Sequence, residues 1–276
     1  MYTKKITVEY NDIEIIEDSN NYIKFILKNI TTPYAKILSD IMYERIPTMA
    51  IDKIHVISNN TSLVYELIAH RIALIPIHAD ATKFEYFNGI DHTTDNTIKF
   101  RLKKSGNDIW DIISKDLNMQ TNVLSGDLKW EPEPDQEELY DDIRVSDPNY
   151  LILKLKNNQG LEMLCYAIKG TGKDHTKFSP ISIVGYRPVT DIKPYQYNIS
   201  MISSYPWLTT KLLSGELTIN DLNVLFIPTD YIFEMSTKGQ MLPTEILNQA
   251  IKQANIYMEL PYRERKDDIG IPGYLY

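Results

Sequence analysis

The spacing of apolar residues predicts strands at the start of the chain and a helix directly after them. Residues 6–9 and 21–28 alternate between apolar and polar side chains, which is typical of a strand with one buried face. The spacing then changes to that of a helix over about 33–45. Thr32 is its predicted N-cap, with Pro33 at the first helical position, where a missing N–H costs nothing.

Two further helices are predicted. One is expected over 61–75, capped by Thr61 or Ser62, and the last begins at Pro243 and continues to about residue 258. Leu242, the residue before it, is a poor N-cap because it has no side-chain acceptor.

The middle of the chain is rich in predicted strands. They lie at 97–103, 150–156, 163–169, 181–186 and 230–236. The second and third of these are expected to pair with each other through the polar turn at 157–160. The acidic, proline-containing stretch at 131–148 is predicted to be a loop.

Composition narrows the class of protein. Of 276 residues, 43% are hydrophobic and 24% are charged, as in a soluble folded protein. There is no apolar run of the roughly 18–20 residues that a membrane span needs, and no signal-peptide core at the start, so an intracellular protein is expected. The single cysteine, Cys165, excludes an internal disulfide and a zinc site built on thiolates.

Charge argues against direct binding to nucleic acids. The net charge is −8, and residues 131–147 hold eight acids against Arg144 alone. The remainder of the chain is almost neutral, whereas affinity for phosphates comes mainly from an excess of cations.

The stretch GTGKDHTKFSP at 170–180 is the strongest candidate for chemistry. A phosphate-binding P-loop would need Ser or Thr where Asp174 stands and a glycine where Ala167 stands. A dinucleotide fingerprint would need a glycine where His175 stands. The histidines of the chain are scattered, and no nucleophile motif accompanies them. The residues therefore favour a bend held by hydrogen bonds, and an enzyme site at this loop stays an alternative.

Several motifs together resemble one family. RIPTMAID (45–52), ELIAHRIALIPI (66–77), GTGKDHTKFSP (170–180) and MSTKGQMLPTEILNQAIKQ (235–253) occur in the order found in the assembly-platform subunit of cellular RNA polymerases. This family includes the third-largest subunit of polymerase II, the shared subunit of polymerases I and III, the archaeal D subunit and the bacterial alpha N-terminal domain. Frequent Ile, Asn, Lys and Tyr are compatible with a divergent viral member.

The resemblance implies an α+β fold of two domains, like the alpha N-terminal domain. A discontinuous dimerisation domain, with a sheet and two helices, would cover 1–51 and 180–276. An inserted strand-rich domain would occupy 52–179. Some relatives carry a metal cluster on cysteines in the inserted domain, and this chain cannot.

The resemblance also implies a function without catalytic residues. The chain would be a scaffold of a multisubunit DNA-dependent RNA polymerase, pairing with a small alpha-like subunit and supporting the second-largest and largest subunits. No cofactor or metal is expected in this chain, and magnesium would act in the large subunits. The implied residues for the small partner are Tyr34, Ile37, Leu38, Ile41, Ile246, Leu247, Ala250, Ile251 and Ala254. Those implied for docking of the second-largest subunit are Arg45, Pro47, Thr48, Met49, Glu66, His70, Arg71, His175, Lys177 and Phe178.

Two other functions stay open from the sequence. One is a small-ligand or nucleotide-handling enzyme that uses the 170–180 loop, and the other is a homodimeric binding module. The place of action also stays open between nucleus, cytoplasm, viral factory and virion.

Overall fold

The computed structural model describes residues 12–106, 120–140, 142–189, 210–211, 213–215 and 230–259. The strand predicted at 6–9 lies outside the described residues. The helices used below are α1 (Thr32–Glu44), α2 (Tyr65–Ala73), α3 (Gln136–Leu139) and α4 (Pro243–Glu259). The strands are β1 (Ile13–Ser19), β2 (Tyr22–Leu27), β3 (Thr48–Asn59), β4 (Ile77–His78), β5 (Thr97–Ser105), β6 (Thr121–Leu124), β7 (Leu128–Trp130), β8 (Arg144–Val145), β9 (Leu151–Leu155), β10 (Gly160–Gly170), β11 (Ile181–Pro188) and β12 (Tyr231–Thr237).

The first sheet joins the two ends of the described chain. Its order is β1-β2-β12-β11, and all neighbours are antiparallel. Phe25 and Phe233 face each other in register and stack with ring centroids 5.2 Å apart. Every second residue of β2 and β12 is buried, because α1 and α4 cover that face of the sheet and complete one hydrophobic core.

Local hydrogen bonds explain where α1 and α4 begin. Thr31, not the predicted Thr32, is the N-cap of α1, since its side chain accepts from the Tyr34 N–H at 3.4 Å. At the start of α4 the Glu245 carboxylate accepts from the Leu242 N–H at 3.2 Å. An acid three residues into a helix therefore compensates for the poor N-cap.

The second sheet has the order β3-β10-β5-β7. Its central strand, β10, alternates buried and partly buried residues and pairs antiparallel with β3 on one edge and β5 on the other. α2 packs against β3 and places Ile68 and Ile72 in a second hydrophobic core. Cys165 is buried in this core, and burial raises the pKa of its thiol to about 12.

Three expectations from the sequence are wrong in detail. The hairpin between the second and third strands of the middle does not form: β9 pairs with β6, because both edges of β10 are already occupied. The helix predicted over 61–75 begins only at Tyr65, since Thr61 instead bonds to the Asn59 side chain at 2.7 Å. The acidic loop contains the short α3 and β8.

Ion pairs hold part of that acidic stretch against the second sheet. Arg101 contacts Glu131 at 3.1 Å and Glu162 at 2.7 Å, and Lys99 contacts Glu133 at 3.3 Å. The hydrogen bond from Arg101 lowers the pKa of Glu131, and the bonds from Lys103 and then Arg101 lower the pKa of Glu162. The side chains are partly exposed and solvent screens their charges, so each pair contributes little to stability.

A stacked histidine fixes the segment that precedes β5. The His92 ring lies between Phe87 and Tyr166, with centroid distances of 4.7 and 4.6 Å. Its Nδ1 lies 3.0 Å from the Thr97 hydroxyl, and its Nε2 is buried without a hydrogen-bond partner. Burial, and then the nearby Lys53 charge, lower the pKa of His92.

The α+β fold class is confirmed by these elements. Two hydrophobic cores accompany the two larger sheets. The core around the first sheet consists of buried residues between Ile23 and Ile46 and of buried residues from Ile181 onward. The buried residues of the second core lie between these two parts of the sequence, from Met49 to Ala167. The division into a dimerisation domain and an inserted domain stays a prediction.

Candidate protein interface and its supporting joint

The chain passes between its two sheets at two places that lie side by side. One is the short connection from α1 to β3, and the other is the 170–180 loop from β10 to β11. The Lys173 N–H donates to the Glu44 carbonyl at 2.9 Å. A Cβ atom on Gly172 would overlap the Tyr43 carbonyl oxygen. Glycine is therefore required for the loop to approach the end of α1.

Polar side chains of the loop bond within the loop itself. The Asp174 carboxylate accepts from the Thr171 N–H at 2.9 Å and from its hydroxyl at 2.8 Å. These bonds lower the pKa of Asp174. His175 Nδ1 accepts from the Lys177 N–H at 3.1 Å. The groups that suggested an enzyme site thus serve to shape a turn, and the alternative of a small-ligand enzyme is not supported.

The second half of the loop is bound to β3. The Thr48 hydroxyl donates to the Phe178 carbonyl at 2.5 Å. Lys177 Nζ donates to the Ile51 carbonyl at 3.1 Å and pairs with Asp52 at 2.5 Å. A bulge in the pairing of β3 with β10 falls at Asp52. Lys177 therefore ties the loop to an irregular point of β3.

The Phe178 ring is buried where the α1–β3 connection and the 170–180 loop lie side by side, a region called the joint below. It is 4% exposed and packs on Gly170, where an added Cβ would lie 2.7–2.8 Å from three ring atoms. Thr48 and Met49 are buried as well, at 1% and 0% exposure. These three predicted docking residues are placed inside the chain, so in the described structure they hold the joint rather than present a surface.

The other predicted docking residues lie in two groups. Glu66, His70 and Arg71 are exposed on α2. Arg45 follows α1, where its guanidinium lies 5.5 Å from the centre of the Tyr257 ring of α4. The remaining positions are Pro47, which is partly exposed, His175, which is exposed, and Lys177, which is partly exposed. The structure therefore does not gather all ten residues on one surface.

α2 exposes several large apolar side chains to solvent. Large apolar side chains are exposed at four positions on it or at its ends: Val64 65%, Tyr65 53%, Leu67 46% and Leu74 48%. A group of exposed apolar residues is typical of a surface that binds another protein. The spacing of apolar residues along this helix does not distinguish its exposed positions from its buried ones.

The residues predicted for the small partner are mostly buried within this chain. Eight of the nine belong to the core between the first sheet, α1 and α4, and Ile37 is partly exposed against it. The apolar faces of α1 and α4 thus pack against the first sheet of the chain itself. On the outer side of the same helices Tyr43 is 38% exposed and Ile256 is 62% exposed.

Two further properties concern other classes of site. Within the ranges that the structure describes, no three His, Cys, Asp or Glu side chains are placed to hold a metal ion. Among the described helices, none has the length and apolar character that crossing a bilayer requires. The expectation that this chain binds no cofactor stays a prediction.

Comparison with known proteins identifies the middle of the chain. The family described as the RNA polymerase Rpb3/RpoA insert domain matches residues 50–183. This range contains α2, the whole 170–180 loop and the second sheet except for the first two residues of β3.

Longer matches connect the chain to named polymerase subunits. It is 36% identical over 181 residues to DNA-directed RNA polymerases I and III subunit rpac1 of Dictyostelium discoideum, a match covering 63% of this chain and 51% of that protein. It is 34% identical over 192 residues to the RPAC1 subunit of Homo sapiens, covering 65% and 55% respectively. The chain thus spans about half the length of these eukaryotic relatives.

An archaeal relative matches over a greater length. The chain is 27% identical over 263 residues to DNA-directed RNA polymerase subunit Rpo3 of Pyrococcus furiosus, covering 87% of this chain and 92% of that protein. The insert-domain match in the middle and the likeness to Rpo3 over most of its length make this chain similar to RNA polymerase subunits of the Rpb3/RpoA family.

Proposed function

We propose that this chain is a non-catalytic assembly subunit of a multisubunit DNA-dependent RNA polymerase. The observation that carries the proposal is the likeness to archaeal Rpo3, which extends over 263 residues and 92% of that protein. The hydrogen bonding of the 170–180 loop supports it, because the polar groups of this loop act on the loop and on β3.

The helical side of the first sheet is the proposed surface for a small alpha-like subunit. α1 and α4 lie next to each other there, joined by a hydrogen bond from the Tyr34 hydroxyl to Asn255 at 3.1 Å. Ile37, Tyr43 and Ile256 extend the apolar character of these helices to their outer side. We propose that the partner covers this outer side, while the buried stripe beneath it keeps the two helices in place.

The exposed side of α2 is the proposed surface for the second-largest subunit. It combines the apolar side chains of Tyr65 and Leu67 with the polar groups of Glu66, His70 and Arg71. Arginine suits such a surface because its planar group can hold a carboxylate or carbonyl oxygens through several N–H groups. Nucleotidyl transfer, with magnesium, would occur in the large subunits that the chain holds together.

Purification of the tagged chain from its native source tests this function. We expect two very large subunits and a small alpha-like subunit to be recovered with it, together with RNA synthesis on a DNA template. Recovery of the chain alone, or as a homodimer without large subunits, would contradict the proposal.

A matched pair of variants tests the surface for the small subunit. Ile256→Arg places a charge on the outer side of α4, where arginine keeps the helix favourable. Ile90→Arg makes the same change at a side chain that is 77% exposed and lies far along the chain, between α2 and β5. We expect only the first variant to lose the small subunit. Equal recovery from both would place the interface elsewhere.

A further inference from the structure

A groove lies where the second core meets the ends of β11 and β12. One wall is formed by α2 with the residues that follow it and by β9, and the other by the ends of the two strands. The residues that matter for its chemistry are Arg71, Leu74, Tyr150, Leu151 and Lys238. The groove is therefore built from both halves of the molecule.

One wall of the groove is apolar and open to solvent. Leu74 is 48% exposed, Tyr150 is 43% exposed and Leu151 is 41% exposed. Burying apolar surface is favourable by about 25 cal/mol per Å². Three large side chains that share one groove therefore favour the binding of an apolar group there.

The same groove contains two cations, Arg71 and Lys238. Lys238 Nζ donates to the Thr176 carbonyl at 3.0 Å and to the Ser179 carbonyl at 2.8 Å. An ammonium has three N–H donors, so one is left for a further acceptor. Burial lowers the pKa of Lys238. In the described ranges, no carboxylate forms an ion pair with Lys238 or with Arg71.

We propose that this groove binds an extended segment of another polymerase subunit that carries an aspartate or glutamate next to a branched aliphatic side chain. The carboxylate accepts hydrogen bonds from Lys238 and Arg71, and the aliphatic group covers Leu74 and Leu151. A small anion would leave the two leucines exposed, and a purely apolar segment would leave the two cations without a counter-charge. The inference rests on the function proposed above.

Carbodiimide coupling of the purified polymerase complex tests the proposal directly. This reagent joins a lysine amine to a carboxylate only when the two are in ion-pair contact, and mass spectrometry identifies the joined residues. We expect Lys238 to be joined to an aspartate or glutamate of another subunit. In Lys238→Arg the charge and the donors remain but the reactive amine is lost, so this product should disappear. Arg71→Lys introduces an amine on the other side of the groove and should add a product with the same segment.

Charge reversal measures the contribution of the groove to binding. Arg71→Glu should lower the affinity of the chain for the coupled subunit by about tenfold or more, since it puts two carboxylates together. Lys154→Glu is the matched control, because Lys154 is an exposed cation of β9 that does not line the groove. It should change the affinity by less than about twofold, as expected of a peripheral charge.

The results separate the groove from the proposed function. If the chain is purified without any polymerase subunit, the proposed function fails and the groove proposal fails with it. If the complex is recovered, but neither amine couples to another subunit while other lysines do, only the groove proposal is overturned. Coupling to a second copy of this chain would overturn it too, as would equal affinities for Arg71→Glu and Lys154→Glu.

Discussion

Replacing Gly172 with alanine should loosen the joint between the two sheets. The added methyl group would overlap the Tyr43 carbonyl oxygen and would lie 3.0 Å from Glu44 Cα. Both are backbone atoms at the end of α1, so they cannot move aside as a flexible side chain does. The loop has to shift instead, and the bond from the Lys173 N–H to the Glu44 carbonyl, 2.9 Å long, is then stretched or lost.

The expected cost has two parts. Overpacking of a close contact costs about 1–3 kcal/mol, and loss of one backbone hydrogen bond costs about 0.5–1.5 kcal/mol. Together they lower the free energy of unfolding by about 1.5–4.5 kcal/mol. With a urea dependence of about 2 kcal/mol per molar, the midpoint of unfolding should fall by about 1–2 M.

Urea unfolding of the full chain, followed by circular dichroism, measures this effect. Gly185→Ala is the matched control, because a Cβ on Gly185 in β11 would meet no atom within 4 Å. That change should be neutral or should stabilise by about 0.4–1 kcal/mol, since it restricts the unfolded chain. Equal midpoints for the two variants would refute the conclusion that the glycine of this loop serves a close approach to α1.

Three further changes test other contacts. Lys177→Met removes the charged donor to the Ile51 carbonyl and should lower the free energy of unfolding by about 1.5–3 kcal/mol. Asp52→Asn changes a side chain that is 48% exposed and should lower it by less than about 1 kcal/mol. The midpoints of urea unfolding of the two variants measure this difference. Because the pKa of His92 is lowered in the folded state, its contribution to stability is present above the unfolded pKa of about 6.5 and decreases as the pH falls toward the lower folded pKa. His92→Phe should therefore weaken the loss of thermal stability between neutral and mildly acidic pH, and an unchanged pH dependence would contradict the role of burial. Tyr34→Phe removes the hydrogen bond between α1 and α4 and should cost about 0.5–1.5 kcal/mol, measured from thermal unfolding; no loss would show that the two helices are held by apolar contacts alone.

The sequence predicted well those elements in which apolar residues recur at a regular spacing over a few turns or a single strand. α1 and α4 each repeat apolar residues every three or four positions, and their observed bounds differ by about one residue from the predicted ones. β2 and β12 alternate strictly. In these four elements the buried face is set within a few consecutive residues, and so the pattern is sufficient.

Pairing between distant strands could not be predicted in the same way. The turn at 157–160 suggested a hairpin, yet β10 pairs with β3, which lies about a hundred residues earlier, and β9 pairs with β6. A turn predicted from four neighbouring residues does not show whether the edges of the adjoining strand already pair with other strands. The groove was missed for a similar reason: its lining residues come from α2, from β9 and its start, and from the ends of β11 and β12, which only the fold brings together.

The two proposed binding surfaces belong to the two cores that the α1–β3 connection and the 170–180 loop link. One surface is carried by α1 and α4, and the other by α2 and the groove. Their relative orientation depends on the two chain crossings, where the Gly172 contact, the Lys177 bonds and the two carbonyl bonds of Lys238 act together. An assembly subunit has to hold two partners in a fixed relation, and such contacts contribute to this without any catalytic group. The glycines, lysine and histidine of the 170–180 loop are therefore explained by geometry: they allow the loop to approach α1, close it on itself and fasten it to β3.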